Sequence, residues 1–303
     1  MDTQLQKQIS ELKHQHNTII LAHNYQLPII QDIADYTGDS LELAKKATTL
    51  DCDNIIFCGV DFMAESAKIL NPKKNIILPD KTAHCPMAAM VDPPLLIELK
   101  KKHPTAQVVC YINTTAEIKA LSDICCTSAN GIKVVESLDT NKIIFVPDQN
   151  LGQYIQRFTK KEIILWPGYC ATHHRITVKD INDLKQQYPD AEVLVHPECR
   201  PDVIDIADHA FSTNGMLNHV KTSPKKDFII GTEKEHCYRL KTDNPTKRFY
   251  PIPSAVCPNM KKITLEKVLK SLTTLEPKIT LPEEIIQKAK KPLTRMMNIK
   301  RGD

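Results

Sequence analysis

Glycine is scarce, with only eight in 303 residues, and neither Gly-x-x-x-x-Gly-Lys-Ser nor Gly-x-Gly-x-x-Gly occurs. The two backbone cradles that most often hold nucleotide phosphates are therefore excluded. No stretch approaches the ~18 consecutive apolar residues of a membrane helix. The start, Met1-Asp2-Thr3-Gln4-Leu5, lacks the basic and then apolar run of a secretory signal. A cytoplasmic setting without a membrane partner is expected. A large excess of one charge is also missing. The formal net charge of +4 is too mild to argue for a nucleic-acid partner, and Lys100-Lys101-Lys102 and Lys288-Ala289-Lys290-Lys291 read as solvated helix faces.

Close cysteine pairs of the Cys-x-x-Cys kind are absent as well, although the chain holds ten cysteines. In a reducing compartment these are thiols or metal ligands rather than disulfides. Cys52, Cys58, Cys110, Cys125, Cys126, Cys199 and Cys237 sit in or beside apolar stretches and read as small buried hydrophobes. The vicinal Cys125-Cys126 is open to a redox role, with packing the simpler reading. Three others stand apart: Cys85-Pro86-Met87, Cys170-Ala171-Thr172-His173 and Cys257-Pro258-Asn259-Met260 are separated by 85 and 87 residues. Structural zinc uses four ligands in paired knuckles. Three cysteines from distant segments fit an iron-sulfur cluster that leaves one iron without a protein ligand, free to act as a Lewis acid. Three buried structural cysteines would explain the same spacing.

A repeat underlies that spacing. Leu5, Ile9 and Leu12 lie at helical intervals ahead of the β-rich Thr18-Ile19-Ile20-Leu21. The same order returns as Glu98-Leu99-Lys100 before Val108-Val109-Cys110, and as Asp183-Leu184-Lys185 before Val193-Leu194-Val195. Offsets of 88 and then 85 place His23 on Tyr111 and His196, and Tyr25 on Asn113 and Glu198. They also place Asp35 on Asp123 and Asp208, Asp39 on Thr127 and Ser212, and Ser40 on Ser128 and Thr213. Two more apolar runs follow in each copy: Asn54–Phe57 and Asn75–Leu78, Lys142–Phe145 and Glu162–Leu165, Asp227–Ile230 and Arg248–Tyr250, the last interrupted by Pro251 and Pro253. Helical patterns such as Phe62–Leu70 and Asn150–Phe158 lie between them. Strands alternating with helices imply parallel sheets covered on both faces.

The expected fold is α/β, with three similar αβα units carrying short parallel sheets around a central site. The units are expected at 1–87, 88–173 and 174–260, followed by a helical segment at 261–303 that packs back on the ring. Ile263-Thr264-Leu265-Glu266 repeats Ile176-Thr177-Val178-Lys179 at an offset of 87. The final Arg301-Gly302-Asp303 is given no role.

Ligands of open parallel sheets gather beyond the carboxyl ends of the strands, where each polar column and each of the three cysteines falls. Ser, Thr and Asp favour N-caps, and helix N-termini favour anions. Ser40, Ser128 and Thr213 are therefore expected to open helices toward a substrate with several negative charges. His196-Pro197-Glu198 sets an imidazole and a carboxylate two residues apart for general acid–base work. Met63, Glu65, Asp148 and Glu233, the last aligned with Asp148, read as capping and packing residues.

The motifs together resemble the quinolinate synthase family of NAD biosynthesis over essentially the whole chain. The carriers are Ala22-His23-Asn24-Tyr25-Gln26, Gly38-Asp39-Ser40, Gly59 to Glu65, Cys85-Pro86-Met87, Tyr111-Ile112-Asn113-Thr114, Pro147 to Gly152, Gly168-Tyr169-Cys170, His196-Pro197-Glu198-Cys199, Ser212-Thr213 and Cys257-Pro258-Asn259-Met260. The resemblance implies a 4Fe-4S cluster on Cys85, Cys170 and Cys257, and three domains related by a pseudo-threefold axis. It implies condensation of iminosuccinate with dihydroxyacetone phosphate to quinolinate, with loss of phosphate and two waters. His23, Tyr25, Tyr111, His196 and Glu198 are implied as catalytic. His23, Ser40, Tyr111, Ile112, Asn113, Ser128, His196, Pro197, Glu198 and Thr213 are implied as substrate contacts. A transient contact with the L-aspartate oxidase or dehydrogenase that supplies iminosuccinate is a further expectation. No role is carried onto Asp61 or His173-His174. An iron-sulfur hydro-lyase on a hydroxy-carboxylate, or a non-catalytic iron-sulfur sensor, are the alternatives.

Overall fold

The apolar runs pair with one another rather than with distant partners, and they do so identically three times. A computed structural model describes residues 2–303. Its strands are β1 (Thr18–His23), β2 (Tyr36–Gly38), β3 (Asn54–Cys58), β4 (Asn75–Ile77), β5 (Gln107–Tyr111), β6 (Ile124–Cys126), β7 (Lys142–Val146), β8 (Glu162–Leu165), β9 (Glu192–Val195), β10 (His209–Ala210), β11 (Asp227–Gly231) and β12 (Arg248–Pro251). They form three four-stranded sheets ordered β2-β1-β3-β4, β6-β5-β7-β8 and β10-β9-β11-β12. Every strand pair is parallel. The expected α/β class with three similar units is borne out.

Each sheet is covered on both faces, which is why its strands are apolar without alternation. In the third sheet Val193, Val195 and Ile229 belong to one apolar cluster, while Leu194, Phe228 and Ile230 belong to another. The first two sheets share a larger core with the helices Leu265–Thr274 and Glu283–Met297. Six of the seven cysteines read as small hydrophobes are buried, and Cys237 is partly exposed. No described helix is long and apolar enough to cross a membrane.

Three short strands escaped the sequence reading. β2, β6 and β10 are two or three residues long and lie at sheet edges, so they need no apolar run. The Asp35, Asp123 and Asp208 column explains how they are held. Each carboxylate accepts the backbone N–H of its unit's first strand: Ile20 at 2.7 Å, Val108 at 2.7 Å and Val193 at 2.8 Å. Each aspartate's own N–H returns to the carbonyl of that same residue, at 2.9, 3.0 and 3.0 Å. Each edge strand is thereby clamped to its neighbour just before it begins. At the other edge, Pro251 sits in β12, where a missing N–H is tolerated.

The clamp generates an expectation. Asp123→Ala leaves the Val108 N–H without its charged acceptor, a loss of about 1.5–3 kcal/mol, read as a lower urea midpoint with an unchanged slope. A midpoint equal to that of the parent chain would mean that the clamp contributes nothing.

Candidate active site

Each of the four strand positions delivers one kind of chemistry at its carboxyl end. First strands end in His23, Tyr111 and, one residue on, His196; second strands lead to Asp39-Ser40, Thr127-Ser128 and Ser212-Thr213. Third strands lead to Asp61, Asp148 and Glu233, and fourth strands to Cys85, Cys170 and Cys257. Members of all four sets line one cavity of about 220 Å³, including the three cysteines, Tyr25, Asn113 and Glu198. Ile112 and Pro197 are buried but do not line it. Asn113 Oδ1 is buried without a protein partner, as a ligand-facing amide would be.

The helix openings differ in detail from the sequence reading. Asp39 and Ser212 are the N-caps, accepting from Glu42 N and Gly215 N at 2.9 and 3.1 Å, so Ser40 and Thr213 are first helical residues. In the middle unit the helix starts only at Gly131, and Ser128 stands ahead of it in a turn closed by Asn130 Oδ1 on Thr127 N at 2.8 Å. Asn130 competes successfully as the local acceptor there, so the helix begins later.

His23 and His196 share one device. Tyr25 N donates to His23 Nδ1 at 3.2 Å, and Glu198 N donates to His196 Nδ1 at 3.3 Å. With Nδ1 accepting, a neutral ring carries its proton on Nε2. Burial keeps both rings neutral, lowering His23 to about 4 and His196 to about 3. The motif His-x-Tyr or His-x-Glu therefore presents a neutral N–H donor.

A second chain of contacts was not legible in the sequence. Glu198 accepts from the Tyr111 hydroxyl and lies 2.5 Å from His173 Nδ1. His173 Nε2 lies 2.8 Å from Thr232 Oγ1, which lies 2.6 Å from the Tyr25 hydroxyl. All five side chains are buried. Burial works to raise Glu198, but His173 beside it and the hydrogen bonds from His173 and Tyr111 hold its carboxyl well below the ordinary range. Burial and the Glu198 charge push the Tyr25 and Tyr111 phenols well up, so both remain proton donors. His173 occupies the position three residues after its cysteine, where the other copies have Ala88 and Met260. A polar residue in an otherwise apolar column was the available signal.

The acidic column also has one task. Cys85 N donates to Asp61 Oδ1 at 3.0 Å, Cys170 N to Asp148 Oδ2 at 3.3 Å and Cys257 N to Glu233 Oε1 at 3.3 Å. Asp148 spends its other oxygen on Asn150 N and Leu151 N, so the capping read from the sequence is real but only half of its role. Each carboxylate ties a cysteine loop to the strand end beside it.

The thiols suit a polynuclear group better than a single ion. Zinc–sulfur bonds of ~2.3 Å imply sulfurs about 3.8 Å apart, whereas the three Sγ atoms do not all lie within 4.8 Å of one another. Burial raises all three thiols; the Cys257 charge adds to this at Cys85, and the Glu198 and Cys85 charges add to it at Cys170. A thiol set this reluctant to ionise alone needs cationic metal to become ligands. Cys170, His173 and Glu198 do converge within 4.8 Å, but the contacts above already engage His173 and Glu198.

Thiols too widely set for one ion and proton carriers in a connected chain fit an enzyme site at strand ends that acts on a small polar substrate beside a polynuclear metal group. Comparison makes this specific. Residues 7–298 match the family described as Quinolinate synthetase A protein, and the chain belongs to that family. It is 54% identical over 294 residues to the quinolinate synthase of Methanoregula boonei, covering 97% of each chain. It is 52% identical over 292 residues to that of Dehalococcoides mccartyi, covering 96% of this chain and 97% of the other. It is likewise 52% identical over 299 residues to that of Geotalea uraniireducens, covering 98% of each.

Acid sensitivity follows from the buried imidazoles. His23, His196 and His236, lowered by burial to about 4, 3 and 3, stay neutral in the fold, while unfolded histidine charges below about 6.5. The unfolded chain therefore binds more protons between about pH 6.5 and 4, and stability falls as pH falls through that window. The melting temperature of the cluster-free protein is expected to drop steadily from pH 7 to 4.5. The slope should be shallower in His236→Gln, which removes one of the three buried titrating rings. An unchanged slope in that variant would contradict the assignment.

Proposed function

We propose that the chain condenses iminosuccinate with dihydroxyacetone phosphate to quinolinate, releasing phosphate and two waters, in NAD biosynthesis. The observation that carries this reading is the buried chain Tyr111–Glu198–His173–Thr232–Tyr25 beside three converging cysteines. The reaction is redox-neutral. One C–C bond and the ring C–N bonding form, the carbon–oxygen bond to phosphate breaks, and two oxygens leave as water. The protein must therefore hold anions and move protons.

Cys85, Cys170 and Cys257 would hold a 4Fe-4S cluster, which when bound supplies a Lewis acid through an iron with no protein ligand. The hydroxyls of Ser40, Ser128 and Thr213 take carboxylate or phosphate oxygens, and Asn113 and the Nε2–H of His23 and His196 add neutral donors. Neutral donors suit this task, because they hold an anion without transferring a proton to it. Glu198, kept ionised by its His173 and Tyr111 partners, is the base that takes protons from the substrate carbon during enamine formation and keto–aldehyde rearrangement. His173 and Thr232 connect it to Tyr25, whose protonated phenol donates to a departing oxygen. Iminosuccinate hydrolyses in water, so a transient contact with the aspartate oxidase or dehydrogenase that makes it would shorten its exposure. The reading places the reaction in the cytoplasm.

The test is an anaerobic assay of the reconstituted protein with enzymatically generated iminosuccinate and dihydroxyacetone phosphate. Quinolinate is expected from the parent chain. Cys85→Ala, Cys170→Ala and Cys257→Ala are each expected to lose cluster iron and product together. An intact cluster that yields no product would favour the hydro-lyase or sensor alternative.

Glu198→Gln separates chemistry from cofactor binding. Its kcat is expected to fall by about 10²–10⁴-fold at unchanged iron and sulfide content. Full turnover in that variant would remove Glu198 from the proton path.

A further inference from the structure

Arg301-Gly302-Asp303, which the sequence left without a role, is seated among all three units. Arg301 Nη1 donates to Asp39 Oδ2 at 2.7 Å, and Nη2 donates to Ser212 Oγ at 2.7 Å and to Asp303 Oδ1 at 3.1 Å. Its two principal acceptors are therefore the N-cap side chains immediately before Ser40 and Thr213. Both caps are engaged from the other side too, by Glu42 N and Gly215 N. Gly302 N donates to Ala129 O at 2.6 Å, the residue after Ser128. Three residues thus touch the three equivalent turns that carry the hydroxyl column.

Asp303 leaves an independent trace in the chain. Its Oδ2 accepts Ser212 N at 2.8 Å, and a Cβ on Gly215 would lie 2.4 Å from that same oxygen. With eight glycines in the whole chain, one stands where a side chain would have to displace the docked carboxylate. The ion pairs have an electrostatic consequence as well. Asp39 lines the cavity, and Arg301 is the cation set against it at 2.7 Å. Without the guanidinium, an uncompensated carboxylate would face an anion at the turn meant to bind it.

We propose that Arg301 is a positioning residue for anionic substrate: it clamps the Asp39 and Ser212 caps so that Ser40 and Thr213 face the cavity in register, and it neutralises Asp39. Arg301 does not line the cavity itself and acts through the two caps. The inference rests on the reading of Ser40, Ser128 and Thr213 as anion contacts.

The test is steady-state kinetics of the cluster-loaded enzyme, varying each substrate in turn, for Arg301→Gln, Arg301→Lys, Arg301→Gln with Asp39→Asn, Ser40→Ala and Thr213→Ala. Arg301→Gln should raise the KM of at least one substrate on the order of ten-fold or more, with kcat within about three-fold and iron content unchanged. A rise confined to dihydroxyacetone phosphate assigns the turns to phosphate, and a rise confined to iminosuccinate assigns them to carboxylate. Arg301→Lys should recover part of the loss. Adding Asn at position 39 should recover most of it, which a purely structural role would not allow. Melting temperatures identify any variant that fails to fold, in which case Arg301→Lys alone decides by its KM. Raised KM in Ser40→Ala and Thr213→Ala with none in folded Arg301→Gln overturns the positioning role and leaves the anion reading standing. Unchanged KM in all of them overturns both.

Discussion

Parallel strand pairing is the constraint on which the rest depends. Parallel neighbours point their carboxyl ends the same way, so every loop that leaves a strand end emerges on one edge of its sheet. Four strands repeated in the order β2-β1-β3-β4 therefore give four loops per unit on that edge. In this molecule the loops are specialised by position: imidazole or phenol, hydroxyl, carboxylate, thiol. Once three sheets bring these edges to a common cavity, the chemistry is assembled from short local segments, and none of them has to be long or flexible.

Assembling it there puts polar groups where water cannot solvate them. Each is answered by a specific partner rather than by exposure. Asp61, Asp148 and Glu233 take the cysteine N–H groups. His23 and His196 fold their Nδ1 onto the backbone two residues ahead. Glu198 sits between Tyr111 and His173. An unanswered carboxylate at such depth would protonate instead of ionising. The same pairings that keep the fold stable thus set the protonation states. Burial leaves His23 and His196 neutral, the phenols protonated and the thiols short of ionisation, whereas Glu198 is held ionised.

The repeat was legible because the units share residues at fixed offsets. The Asp35, Asp123 and Asp208 column could be read without structure, although its purpose, clamping the first strand to an edge strand, could not. Burial on both faces makes the central strands visible as apolar runs, whereas β2, β6 and β10 are too short and too marginal to leave one. The roles of His173 and Thr232 could not be read for a different reason. They interrupt the repeat, having no polar counterpart at the matching positions, and they matter only through contacts with Glu198 and Tyr25, which lie 25 and 207 residues away in sequence. Arg301 likewise joins residues 262 and 89 positions distant.

What the sequence determined by itself is therefore periodic and local: the α/β class, the threefold repeat, the three cysteines and the polar strand ends. Each follows from hydrophobic patterning and from preferences that act over a few residues. The tertiary structure alone decided which of those groups meet. It joined Tyr111, Glu198, His173, Thr232 and Tyr25 into one chain, gave the acidic column the cysteine backbones to hold, and seated Arg301 between two caps. Such partnerships depend on the angle at which whole sheets pack. That angle is the summed outcome of many apolar contacts spread along the chain, and no short segment records it.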